Sequence, residues 1–182
     1  VIPAEQSHKR GVVPDLRGHG ASVVGGPLTS ESVMAWLDAL IERTCASPPA
    51  LVGQTLGGAI AARFASAHGE RLRSLVLADT LGLAAFQPAR EFELALGDFL
   101  SRPDSRSYRE LWKVCAHDLD GLRQAVGERW SPFESYNIDR AGTPSVMAAV
   151  DALMKSFGLP AIPDAVLRGI TVPTTLIWGR YD

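Results

Sequence analysis

The 182 residues carry 46% hydrophobic and 21% charged side chains, with 18 Lys and Arg against 20 Asp and Glu, a formal net charge of −2. These values describe a folded globular domain and exclude the disordered, collagen-like and disulfide-scaffold classes. The lack of clustered cations argues against a nucleic-acid binder, because phosphate recognition needs them.

Two cysteines, Cys45 and Cys115, are too few for a disulfide framework or a cysteine zinc site, and they fit a reducing, cytoplasmic setting. No metal site is visible and no cofactor is implied. The uncharged stretch 45–62 has the length of a membrane span. It contains Pro48, Pro49, Gly53, Gln54, Thr55, Gly57 and Gly58, and so reads as turn, strand, sharp turn and helix start. No membrane association is expected. Val1 opens no signal-peptide pattern, and Asp182 directly follows an apolar run. Both ends look cut, and the chain is expected to be an internal fragment.

In chain order, the first apolar run, 11–14, predicts a strand. The apolar residues Val33, Met34, Leu37, Leu40 and Ile41 recur at helical spacing and predict a helix over 31–43, capped by Thr29 or Ser30. A second strand is predicted at 50–53. A helix at 56–68 follows, striped by Leu56, Ile60 and Phe64 and closed by Gly69 as C-cap. A third strand lies at 75–78 and a fourth at 174–179. None of these runs alternates, as in strands buried on both faces of a parallel sheet. The strand–helix rhythm gives an α/β fold with a mostly parallel sheet.

Between these strands the rhythm breaks. Residues 81–167 read mostly as helix, at 88–100, 108–114, 119–130 and 145–157, and hold nine of the thirteen aromatics. The domain reading is therefore a first core part at 1–80, a helical insertion at 81–167 and a closing core strand at 168–182. The insertion is either a lid over an apolar site or a helical layer whose rings simply pack it onto the sheet.

The chemistry centres on Gly53-Gln54-Thr55-Leu56-Gly57-Gly58, where a strand gives way to a helix. This is the context of a nucleophile elbow, G-x-S-x-G, with Thr55 at the serine position. Gly53 and Gly57 would let strand and helix approach closely. The Leu56 N–H would face an oxyanion at the helix N-terminus. A β-branched residue is unfavourable in such a turn. Three readings follow: a slow threonine nucleophile, a fold that has lost catalysis, or chemistry in which the hydroxyl does not attack. Asp182, ending the last strand, is the candidate acid. Asp79 is the reserve, more simply read as a cap. His117-Asp118-Leu119-Asp120-Gly121 reads as a helix-start turn, and Cys115 as packing.

Three motifs resemble the α/β-hydrolase family, in its lid-bearing esterase and lactonase-like branch. Asp15-Leu16-Arg17-Gly18-His19-Gly20-Ala21-Ser22 is similar to the family's D-x-R-G-x-G-x-S turn. The elbow follows, and 170–182 resembles the late strand ending in the catalytic acid. The resemblance implies Thr55 as nucleophile, Leu56 as oxyanion donor and Asp182 as the residue orienting a histidine. That histidine should come after the acid in chain order. His8, His19, His68 and His117 all precede Asp182 and break the order. The family's N-terminal strands and second oxyanion donor are likewise expected to lie outside these 182 residues. The implied activity is hydrolysis of a small apolar ester, lactone or related carbonyl substrate through an acyl-enzyme, with carbon–carbon bond hydrolysis, also carried out by lid-bearing relatives, left open. The alternatives are a catalytically impaired binding protein of this fold and a fragment without function. The expected partner is a small apolar molecule, with no nucleic acid and no membrane, and the sequence does not specify an oligomeric state.

Overall fold

The computed structural model describes residues 11–22 and 25–180. Three parallel strands, β1 (Ala50–Gln54), β2 (Ser74–Ala78) and β3 (Thr174–Ile177), form a sheet in the order β1-β2-β3. Leu51 pairs with Leu75 and Gln54 with Ala78, and Ala78 pairs in turn with Ile177. Helix α1 (Ser30–Thr44) is capped by Thr29, whose side chain accepts the Ser32 N–H at 3.2 Å, and it buries Val33, Leu37 and Ile41 one turn apart. Helix α2 (Leu56–Ala67) crosses from β1 to β2. Its alanines 59, 61, 62 and 65 let the helix lie close on Leu75 and Leu77, while Ile60 and Phe64 fill the space between.

The helical segment follows as α3 (Arg90–Ser101), α4 (Ser105–Cys115), α5 (Leu119–Val126), α6 (Trp130–Ala141), α7 (Pro144–Leu153) and α8 (Asp164–Arg168). It divides by packing. Phe99, Tyr108 and Trp130 form a separate aromatic core with Trp112. Leu153, Phe157 and Ile162 join the main core around α2. The segment leaves and returns at one neck, closed by the Ile162 N–H donating to the Gly82 carbonyl at 2.7 Å. Arg63 of α2 anchors the returning chain. Its guanidinium donates to the carbonyls of Ala59 at 3.0 Å, Phe157 at 3.3 Å and Pro160 at 3.1 Å, and lies over the Phe157 ring.

Several local expectations are corrected. Residues 11–14 enter no sheet, and Val13 is 95% exposed; an apolar run becomes a strand only beside a partner. The strands are not buried on both faces: every residue of β3 is exposed, as is Val52 of β1. Helix α2 ends on His68, whose ring stacks tilted on Phe64, and Gly69 instead begins a short 3-10 turn. The predicted helix at 119–130 stops at Val126, and α6 takes over at Trp130. The predicted helix at 145–157 ends in a π turn over Met154–Gly158.

Candidate active site

Thr55 sits between β1 and α2 with φ 50° and ψ −114°. A β-branched residue pays for that conformation unless its surroundings impose it. Here they do. The Thr55 N–H donates to the Ala78 carbonyl at 3.0 Å, and the Thr55 carbonyl accepts from both Ala59 and Leu81 N–H groups at 3.2 Å. Its hydroxyl makes no capping bond to α2, and the residue is exposed. Leu56 opens α2, so its N–H is one of the first-turn amides that no helix carbonyl can reach.

The glycines divide the work unevenly. A Cβ on Gly53 would stand 2.5 Å from the Gly57 carbonyl oxygen and 2.7 Å from Gly58 Cα, so β1 and α2 meet backbone to backbone there. A Cβ on Gly57 would meet nothing within 4 Å. The second close approach is at Gly58, where a Cβ would overlap the Thr80 side chain. Thr80 is buried, and its hydroxyl finds no partner among the described residues. Sequence reasoning assigned the close approach to Gly53 and Gly57; Gly53 makes it, Gly57 has open space for a Cβ, and Gly58 against Thr80 was overlooked, with the doubled glycine as the available signal.

Asp182 lies outside the described residues, as does His8. Asp79 is the first residue after β2, at φ 41°. Its N–H donates to the Ile177 carbonyl at 3.0 Å, and its Oδ1 accepts the Gly179 N–H at 3.4 Å. His68 stands at the opposite end of α2 from Thr55, about 20 Å away by helix rise, too far to act as its base. His19 belongs to the turn after residue 14, its ring Nδ1 3.3 Å from the Arg17 carbonyl.

That turn is built residue by residue. The Asp15 carboxylate accepts the Ala21 N–H at 3.1 Å, and the Ser22 hydroxyl donates to the Asp15 carbonyl at 2.8 Å. Gly20, at φ 50°, leaves the room that the Asp15 side chain occupies. Arg17 ties the turn to α1 through the Ser32 carbonyl at 3.2 Å.

Other candidates take structural places. Asp118 caps α5 by accepting the Gly121 N–H at 2.9 Å. Cys115 is exposed rather than packed, at the end of α4. Among the described residues no group of three or more His, Cys, Asp or Glu side chains is placed to share a metal ion. Nor is any helix among them long and apolar enough to cross a membrane.

Comparison with known proteins adds a family match. The family described as "alpha/beta hydrolase fold" matches residues 1–182. The chain is 33% identical over 97 residues to the lipase LipV of Mycobacterium tuberculosis, covering 52% of this chain and 37% of that protein. It is 29% identical over 182 residues to a pimeloyl-[acyl-carrier protein] methyl ester esterase of Neisseria meningitidis, covering 92% of this chain and 63% of that one. Among solved structures it resembles a membrane phospholipase A described as a bacterial virulence factor. The TM-score is 0.65 at 23% identity, over 91% of this chain and 52% of that one, a likeness of fold. The chain thus spans between about a third and two thirds of the length of these relatives.

Proposed function

We propose, for a chain that belongs to the α/β-hydrolase fold family, that it carries the nucleophile and acid of an esterase-type hydrolase. The substrate is a small, apolar ester, lactone or related carbonyl compound. The observation that carries this reading is Thr55: a threonine held at positive φ by three backbone hydrogen bonds, with its hydroxyl uncommitted at the head of a helix. The esterase and lipase names of the two sequence relatives support the same class.

The Thr55 Oγ1 attacks the substrate carbonyl carbon, and its proton passes to a histidine that Asp182 holds in the right tautomer. The carbonyl oxygen becomes an oxyanion facing the Leu56 N–H, at the positive end of α2. Collapse of the tetrahedral species expels the alkoxide, which takes the proton from the histidine. Water, deprotonated by the same histidine, then cleaves the acyl-threonine and returns the hydroxyl. The helical segment 81–167 serves as the lid that selects the apolar part of the substrate.

The experiment uses the intact protein and short-chain p-nitrophenyl esters. Removing the threonine methyl by Thr55→Ser raises turnover, and Thr55→Ala abolishes it. Equal rates in all three proteins would remove Thr55 from the mechanism. A second reading, a binding protein that keeps the pocket without turnover, is favoured by the β-branched side chain at a strained position. A fluorophosphonate separates the two: an enzyme forms an adduct at Thr55, whereas a binder shows only reversible ligand-induced stabilisation.

A further inference from the structure

Among the described residues, Thr55 and Asp79 are the two that have positive φ without being glycine, at 50° and 41°. They are neighbours. The last rung of the sheet is Gln54–Ala78–Ile177, so each of the two is the first residue beyond its own strand, side by side at one edge. A β-branched residue such as Thr55 there costs about 1–3 kcal/mol and persists only where its surroundings over-determine it, whereas Asp visits positive φ more readily. The elbow accounts for Thr55. Asp79 needs its own reason.

The bonds around Asp79 supply one. On the side facing the elbow, the Ala78 carbonyl holds the Thr55 N–H and the Leu81 N–H holds the Thr55 carbonyl. On the other side, the Asp79 N–H continues the ladder to Ile177, and the carboxylate reaches past the end of β3 to the Gly179 N–H. Residues 78–81 thus bond at once to the nucleophile turn and to the chain leaving β3. Gly179 stands three residues before Asp182.

We propose that Asp79 is a positioning residue: its carboxylate clamps Gly179 to the corner that holds Thr55, and so fixes where the segment carrying Asp182 leaves the sheet. This rests on the hydrolase reading above. Placing an acid relative to a nucleophile is worth a large share of rate, since about 1 Å of misplacement can cost a hundredfold. The positive-φ turn at Asp79 brings a carboxylate onto an amide that the β ladder leaves unpaired.

Two variants separate the clamp from the strain. Asp79→Gly relieves the positive φ and removes the carboxylate. Asp79→Asn keeps an acceptor oxygen on a side chain that tolerates positive φ. In the intact protein, Asp79→Gly lowers kcat by about tenfold with KM little changed and without loss of thermal stability, and speeds amide exchange at Gly179. Asp79→Asn recovers most of the rate and the protection, with the wild-type pH profile. Wild-type kcat and protection in Asp79→Gly would overturn the proposal. So would an Asp79→Asn protein as inactive as Asp182→Asn with an altered pH profile, because Asp79 would then be the orienting acid itself. If Thr55→Ala retains full activity, the hydrolase reading falls on its own. The exchange measurement still decides the clamp: protection lost in Asp79→Gly and restored in Asp79→Asn supports it, and unchanged protection refutes it.

Discussion

Adding one methyl group at Gly53 tests the elbow geometry without reference to any substrate. The Gly53→Ala Cβ would lie 2.5 Å from the Gly57 carbonyl oxygen and 2.7 Å from both the Gly57 carbonyl carbon and Gly58 Cα. All three are backbone atoms, so no rotamer change can make room. To reach ordinary van der Waals contact, the start of α2 must retreat from β1 by about 0.7–0.9 Å. That retreat loosens the buried layer of α2 on Leu75 and Leu77. Overpacking against an immobile neighbour costs about 3 kcal/mol, at the upper end of the usual range. Gly57→Ala is the control, since its Cβ meets open space; a helix-favouring alanine there should be neutral or stabilising by up to about 1 kcal/mol. Urea denaturation of the three proteins, compared at constant slope, reads the difference directly. Equal destabilisation by the two substitutions would refute the reasoning, because it would mean that both glycines are demanded by contact and that α2 sits otherwise than described.

The helical segment offers two further tests. Arg63→Met keeps the apolar stem but strips the carbonyls of Phe157 and Pro160 of their donors. It should cost about 2–3 kcal/mol in denaturant unfolding, and Arg63→Lys should recover little of it, because one ammonium cannot span three carbonyls as a planar fork does; a fully stable lysine variant would contradict the anchor. At the start of α4, the Asp104 carboxylate accepts the Arg106 and Ser107 N–H groups at 2.9 Å each, and the Ser107 amide above all holds its pKa below the usual value. A depressed carboxylate pKa stabilises the fold above the unfolded value, near 3.8, and the contribution disappears as pH falls through the lower folded value. Wild-type stability minus that of Asp104→Asn should therefore be constant near neutrality and shrink below about pH 4. A difference that stays flat to pH 2 would show that the cap acts without its charge.

How much of this was legible in the sequence depends on how local each cause is. The strand–turn–helix corner at Thr55 was readable because its requirements fall within six residues: a strand, a sharp turn at Thr55, and Gly53 where the strand and helix backbones touch. The turn at Asp15–Ser22 was readable for the same reason, since its carboxylate, hydroxyl and positive-φ glycines satisfy one another. The cap at Thr29 was equally local. Failures arise where the cause lies elsewhere in the chain. Whether 11–14 pairs depends on a neighbour that its own residues do not encode. The apolar run of β3 gives no sign that nothing described covers it. Helix α6 was not among the predicted helices, although Pro132 sits in its first turn, where helices tolerate proline. The capping box at Asp104 was missed because Ser107 stands where Glu or Gln is the usual signature. The positive φ of Asp79 was not read because, although Asp tolerates it, the bonds that go with it reach Ile177 and Gly179, the latter a hundred residues away.

The placement of the candidate site follows from the sheet itself. Three parallel strands send their C-terminal ends to one edge, and α2 starts from that same edge with unpaired amides. A nucleophile there gains the helix dipole for its oxyanion only if the chain turns sharply enough to aim the first amides at the reacting atom. At Thr55 the sharp turn takes the form of a positive φ. The sheet can enforce that only through neighbours that are fixed themselves. Residues 78–81 are fixed because β2 is the central strand, paired on both sides and buried at Leu75 and Leu77. The strain at Thr55 is thus held by the best-supported part of the fold, and the matching positive φ at Asp79 extends that support to the exit of β3. A fold in which β2 were an edge strand would let both corners relax, and Thr55 would lose the geometry that distinguishes it from the other threonines of the chain.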